Sequence, residues 1–147
     1  MDLPDLMSRL TLSIAGIVLT VASTAFAHQS VVVGEESEQY RVSVGMVREP
    51  VFTDERNGLD LIVRTLDDEP VSGLETSLTA TLISPGGERL QLDIRPQWGR
   101  PGYYTDDILL TATGVYRIHV TGFIGTVEVD ETFETHEVRP LSSITFP

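Results

Sequence analysis

The sequence has no cysteine and no lysine among its 147 residues, one tryptophan, and only five phenylalanines. Without cysteine there is no disulfide framework, thiolate zinc site, iron-sulfur cluster or cysteine nucleophile, and no thiol to carry a lipid at a bacterial N-terminus. Positive charge is scarce: ten basic residues, all arginine, face 22 acidic ones, for a formal charge of -12. Nucleic acids and anionic membrane faces bind proteins largely by electrostatic attraction, which this balance would turn into repulsion, so neither is an expected partner. Catalytic motifs are missing as well. There is no Gly-x-Ser-x-Gly elbow, no His-Glu-x-x-His and no glycine-rich phosphate loop, and the expectation is a protein that is not an enzyme.

What is present begins with an apolar run over residues 10–22, followed by the small-x-small step Ala25-Phe26-Ala27. That pattern reads as a signal peptide over residues 1–27 and predicts export to a periplasmic, secreted or cell-surface location. Asp2 and Asp5 outweigh Arg9 in its first part, and a start at Met7 would restore the usual basic opening. If the run stays uncleaved it becomes a membrane anchor, the one route by which this chain would contact a membrane. Cleavage leaves 120 residues with 20 acids and nine bases.

Beyond residue 38 the hydrophobic period is two. Tyr40, Val42, Val44 and Met46 alternate with Arg41, Ser43 and Gly45, and Leu59, Leu61 and Val63 alternate with Asp60, Ile62 and Arg64. Further strands are expected from Leu78, over 90–94, 103–110, 115–124 and 127–135, with Ser84-Pro85-Gly86-Gly87 as a hairpin turn. About seven short strands with no helical period predict an all-β fold, an immunoglobulin-like two-sheet antiparallel sandwich. Tyr116 after Thr113-Gly114-Val115 stands where a tyrosine corner would lie, and the acidic run Glu128, Asp130, Glu131 suits an edge strand. The expected organisation is an N-terminal arm over 28–38, the sandwich over 39–138 and a loose tail over 139–147.

The candidate chemistry centres on histidine. Cleavage after Ala27 would give His28 a free amine beside its imidazole, a two-nitrogen chelate best suited to copper(II). His119, outward on its strand, and His136 with Glu137 after the last strand would complete a metal site if the fold brought them to His28. The competing reading of these residues is solvated surface histidine. Asp67-Asp68-Glu69 and Asp106-Asp107 lack the spacing of a calcium loop and read as solvated turns. A separate candidate is the loop containing Trp98, Arg100, Tyr103 and Tyr104, where tryptophan could stack on a sugar or a partner, or plug one end of the sandwich.

Tyr40, Arg48-Glu49-Pro50, Asn57-Gly58-Leu59, Arg100-Pro101-Gly102-Tyr103-Tyr104, Gly114-Val115-Tyr116 and Val129-Asp130-Glu131-Thr132-Phe133 together resemble a group of small exported β-sandwich proteins of unknown function. More loosely, the chain is similar to the YtkA-like and CopC-like sandwiches. That resemblance implies copper handling, with a membrane copper transporter or another exported protein as partner. The methionine-rich copper(I) segment is missing, since Met46 is the only methionine after the leader. Two readings follow: a copper(II)-binding or copper-handling accessory protein, and a metal-free interaction module docking on another exported or membrane protein.

Overall fold

The computed structural model describes residues 28–147, so the expected signal peptide lies outside the described residues. None of the described helices is long and apolar enough to cross a membrane. The described residues fold as ten strands: β1 (His28–Glu35), β2 (Glu38–Met46), β3 (Arg56–Thr65), β4 (Leu78–Ile83), β5 (Arg89–Leu92), β6 (Arg95–Pro96), β7 (Tyr103–Thr105), β8 (Asp107–Leu109), β9 (Arg117–Ile124) and β10 (Val127–Glu134). All pairings are antiparallel, and they build an immunoglobulin-like sandwich of two sheets. One runs β1-β2-β3-β7-β6, with β8 also on β3, and the other runs β10-β9-β4-β5.

The period-two stripes face one another across the sandwich. Val42, Val44 and Met46 of β2 and Leu59, Leu61 and Val63 of β3 pack against Ala80 and Leu82 of β4 and Ile118 and Val120 of β9. In a chain without disulfides this apolar contact is the main favourable term, at roughly 25 cal/mol per Å² removed from water. The Ser84-Pro85-Gly86-Gly87 turn joins β4 to β5, with Gly87 at a φ of 94°. Tyr116 forms the expected corner: its hydroxyl donates to the Ala112 carbonyl at 3.0 Å and accepts from the Ala112 N–H at 3.1 Å. The acidic β10 is an edge strand of its sheet.

Four expectations are corrected. Residues 28–35 are not an arm but strand β1, in register with β2 from His28 opposite Gly45 to Glu35 opposite Glu38. Exposed side chains concealed it in the sequence, because only Val33 of β1 is buried. The run 103–110 is two strands, because Asp106 breaks it: the Asp106 carboxylate accepts the N–H groups of Asp93 and Asp107 at 2.8 Å each. The strand expected over 115–124 begins only at Arg117, and Gly125-Thr126 form the turn from β9 to β10. The tail is tied at its start, where the Arg139 N–H donates to the Val51 carbonyl at 3.1 Å and the Arg139 carbonyl accepts from Thr53 at 2.9 Å.

The two sides of the sandwich are finished differently. At one, the Glu134 N–H donates to the Gln29 amide oxygen at 2.9 Å and links β10 to β1. At the other, β5 and β6 are the outer strands of their sheets. The Arg95 and Gln97 positions face β7, which leaves the Pro96 backbone facing outward with no N–H to offer, so this edge resists pairing with another strand.

Candidate functional site

The β6–β7 hairpin carries the sole tryptophan. Its loop is closed by backbone bonds from Gln97 N–H to the Tyr103 carbonyl (2.9 Å), from Arg100 to Gln97 (3.2 Å) and from Tyr103 to Arg100 (3.1 Å). Gly99 and Gly102 take φ values of 71° and 78°, in the region glycine adopts without penalty. The Arg100 guanidinium lies 3.7 Å from the centre of the Tyr103 ring and donates to the Gln97 side-chain oxygen at 2.8 Å. The Gln97 amide in turn donates to Asp60 at 2.6 Å, and the second Asp60 oxygen meets His28 Nε2 at 3.0 Å. Asp60 is only 7% exposed although it points out of the larger sheet, because this network covers it. On this braced loop Trp98 is 99% exposed.

Below Trp98 a cleft of about 510 Å³ opens on the outer face of the larger sheet, walled by Val47, Arg48, Arg56 and Arg95. Gly58 is its floor, where a Cβ would stand 2.9 Å from the Asp106 carbonyl oxygen and 3.2 Å from Val47. Asn57, buried, fixes the Arg48 backbone on both sides: its oxygen accepts the Arg48 N–H and its amide donates to the Arg48 carbonyl, both at 3.0 Å. The Arg48 side chain projects from this clamp into solvent. Arg56 reaches Asp107 at 3.0 Å, and Arg95 forks to Asp106 and Asp107 at 3.0 Å each. The Arg56 hydrogen bond, with further help from Arg95, holds the Asp107 carboxyl below its ordinary value. Asp106 and Asp107, read from sequence as a solvated turn, are thus the counter-ions of two cleft arginines.

The proposed metal ligands do not assemble. His28 belongs to the outer face of the larger sheet, paired with Asp60. His119 faces away from Ile118 and Val120 on the other sheet, its Nε2 2.6 Å from Asp130. His136 lies 3.4 Å from Glu49, and Glu137 is exposed beyond it. Among the described residues no three histidine or carboxylate side chains gather in a way that could hold a metal ion. The set His28, His119, His136 and Glu137 therefore does not fit copper(II), because strand alternation sends His119 to the opposite face of the sandwich.

Two of these histidines share a neighbour. Burial raises the Glu49 carboxyl above its ordinary value, while charge on His136 and on His28 pulls it back. Its charged form is disfavoured on folding, so the associated stability is full below the unfolded value and is lost as pH rises through the folded one. A carbon-detected NMR titration should place Glu49 above ordinary glutamates, and His136→Ala should raise it further. A midpoint unmoved by that change would remove His136 from this balance.

The second candidate set divides. Trp98 and Arg100 are exposed and Tyr103 is partly so, but Tyr104 is 1% exposed and belongs to the core. It pairs with the inward Leu61, and its hydroxyl donates to the Val71 carbonyl at 2.6 Å and accepts the Leu74 N–H at 3.2 Å. Arg95 opens the loop that the sequence offered for docking, but Arg48, Arg56 and Asn57 carry no sign of a site in the sequence. The four come from three separate stretches that meet only through the β3 pairings with β2, β7 and β8.

The fold is that of the immunoglobulin-like β-sandwiches. A DUF4426 family protein from Pseudomonas aeruginosa PAO1 is similar with a TM-score of 0.53 and 12% identity, over 78% of this chain and 96% of its own. A DUF4785 family protein from Legionella pneumophila is similar at a TM-score of 0.48 and 10% identity over 69% of this chain, which spans 29% of that protein's length. The Lin-41 filamin domain is similar at a TM-score of 0.42 and 14% identity, over 62% of this chain and 89% of that domain. No protein-family model matches the chain, and no curated protein does so either. The resemblance to copper-handling sandwiches is corrected to the fold alone, as no copper-handling family is among these similarities.

Proposed function

We propose that this chain is an exported, non-catalytic interaction module that docks on another exported or membrane protein through the outer face of its larger sheet. The observation that carries this reading is Trp98, 99% exposed on a loop whose every turn is hydrogen-bonded. A large aromatic presented to water on a loop whose backbone is already ordered spares that part of the ordering cost on binding and offers about 150–250 Å² of surface, on the order expected of an interface anchor. Export rests on the apolar run and the Ala25-Phe26-Ala27 step. Copper(II) handling is the weaker reading, because His28 and His119 lie on opposite outer faces of the sandwich.

The test is site-specific photocrosslinking in exporting cells. A crosslinker at position 98 should give one discrete adduct, and the same group at Phe123, 52% exposed on the other sheet, should not. Trp98→Ala should abolish co-purification of that partner while changing stability by less than about 0.5 kcal/mol, as surface substitutions do. Equal adducts at both positions would end this proposal.

A further inference from the structure

We infer that the cleft beneath Trp98 receives an extended acidic segment of the partner protein, with a carboxylate on Arg48 and Arg56 and an apolar side chain between Val47 and Trp98. This rests on the docking reading and names what docks. Three of the molecule's ten arginines line this one cleft, against two carboxylates, Asp107 on its wall and Asp106 beside Arg95. The surrounding chain is strongly acidic, so the cleft is a local reversal of sign. Repulsion from charges farther away is screened beyond roughly 8 Å at physiological ionic strength, which leaves the neighbouring guanidinium groups to decide the contact.

The arginines are not equivalent. Arg95 is committed to two aspartates, and Arg56, 77% exposed, gives one terminal nitrogen to Asp107. Among the described residues Arg48 makes its hydrogen bonds through its backbone alone, so its planar fork can take a bidentate carboxylate. Val47, 51% exposed, adds an apolar wall beside Trp98, and a peptide satisfies both chemistries with neighbouring side chains. A polymer of uronic acids offers the carboxylates with no apolar side chain for Val47. Pro96 withholds the backbone donor that strand pairing would use, which makes the contact one of side chains.

Trp98 is the only tryptophan, so its fluorescence reports this cleft directly. Titration with a short capped peptide alternating glutamate and leucine should give a saturable blue shift. The same peptide with glutamine should bind at least about tenfold more weakly, the loss expected for a charge-assisted hydrogen bond. Arg48→Glu should weaken the glutamate peptide by a similar factor at unchanged thermal midpoint, and Arg89→Glu, on β5, should not.

The inference is overturned by equal binding of the glutamine peptide, by no saturable change with the glutamate peptide, or by an unaffected Arg48→Glu protein. A response to an oligo-uronate alone would assign the cleft to a polysaccharide instead. Self-association abolished by Arg48→Glu would assign it to the acidic strand of a second copy. If Arg48→Glu leaves the position-98 crosslink intact while Trp98→Ala abolishes co-purification of the partner, the acidic segment is refuted and docking stands. If position 98 gives no specific adduct, docking itself fails.

Discussion

Tyr104→Phe is expected to destabilise the protein by about 1–3 kcal/mol, the cost of leaving buried polar groups without partners. Among the described residues the phenol is the only side chain bonded to both Val71 and Leu74, accepting from the Leu74 N–H and donating to the Val71 carbonyl. These two positions anchor the connection between β3 and β4 to the larger sheet. Loss of the oxygen therefore strands a backbone donor and acceptor that the rest of the core cannot reach. Tyr104→Ala should cost more, about 3–5 kcal/mol, because it also opens a ring-sized cavity among residues that are nearly fully buried. Urea unfolding of both variants beside Trp98→Ala separates the core aromatic from the surface one. A Tyr104→Phe protein with a wild-type midpoint would mean that water replaces the hydroxyl and that the connection is not held by it.

Gly122→Ala is expected to cost roughly 2–6 kcal/mol, combining the strain of a left-handed backbone with overpacking of a closed space. Gly122 has a φ of 129°, and a Cβ there would lie 2.0 Å from the Ser77 carbonyl oxygen. It sits mid-strand, opposite Val129 on β10 and Leu78 on β4, so neither neighbour can retreat without opening a ladder. The obstructing oxygen also accepts the Phe123 N–H at 3.1 Å, and moving it would break that bond. Gly73→Ala is the matched control: its φ is 82°, but nothing lies within 4 Å of a Cβ there. That variant should lose only the backbone term, about 1 kcal/mol at the low end of such strain. Equal denaturation midpoints for the two alanine variants would show that the β4–β9 contact relaxes around the methyl group.

Both predictions fall where the sequence was hard to read. Tyr103 and Tyr104 are adjacent, and a strand must send one in and one out. Composition does not say which; the pairing of β7 with β3 does, by placing Tyr104 opposite inward-facing Leu61. Gly122 falls inside an expected strand, but its need to be glycine depends on how close the Ser77 carbonyl, just before β4, comes to it. β1 escaped notice because it adds an edge through its backbone while most of its side chains stay in water. Asp106 split an expected strand through bonds to Asp93 and Arg95, both on the neighbouring segment.

For the candidate site, the loop with Trp98, Arg100 and Tyr103 was legible, since glycine and proline flank a lone tryptophan. Whether that tryptophan plugged the sandwich or stood in solvent was not, because both uses suit the same loop. The histidines show the opposite error. His28, His119 and His136 are the chain's three histidines, which made them a natural set, yet strand alternation and sheet membership send them to separate partners.

By itself the sequence determined the class of fold, because a period of two with buried aliphatic stripes admits only sheets that close on one another. It also determined the hairpin at 84–87 and the Tyr116 corner, whose causes are local in the chain. Tertiary structure alone decided the cleft. Arg48, Arg56 and Arg95 come together through strand pairings, Asn57 aims the first of them, and Gly58 leaves the space they surround. Such an arrangement depends on register and on which face each residue takes, and both are fixed only when the sheets find their partners.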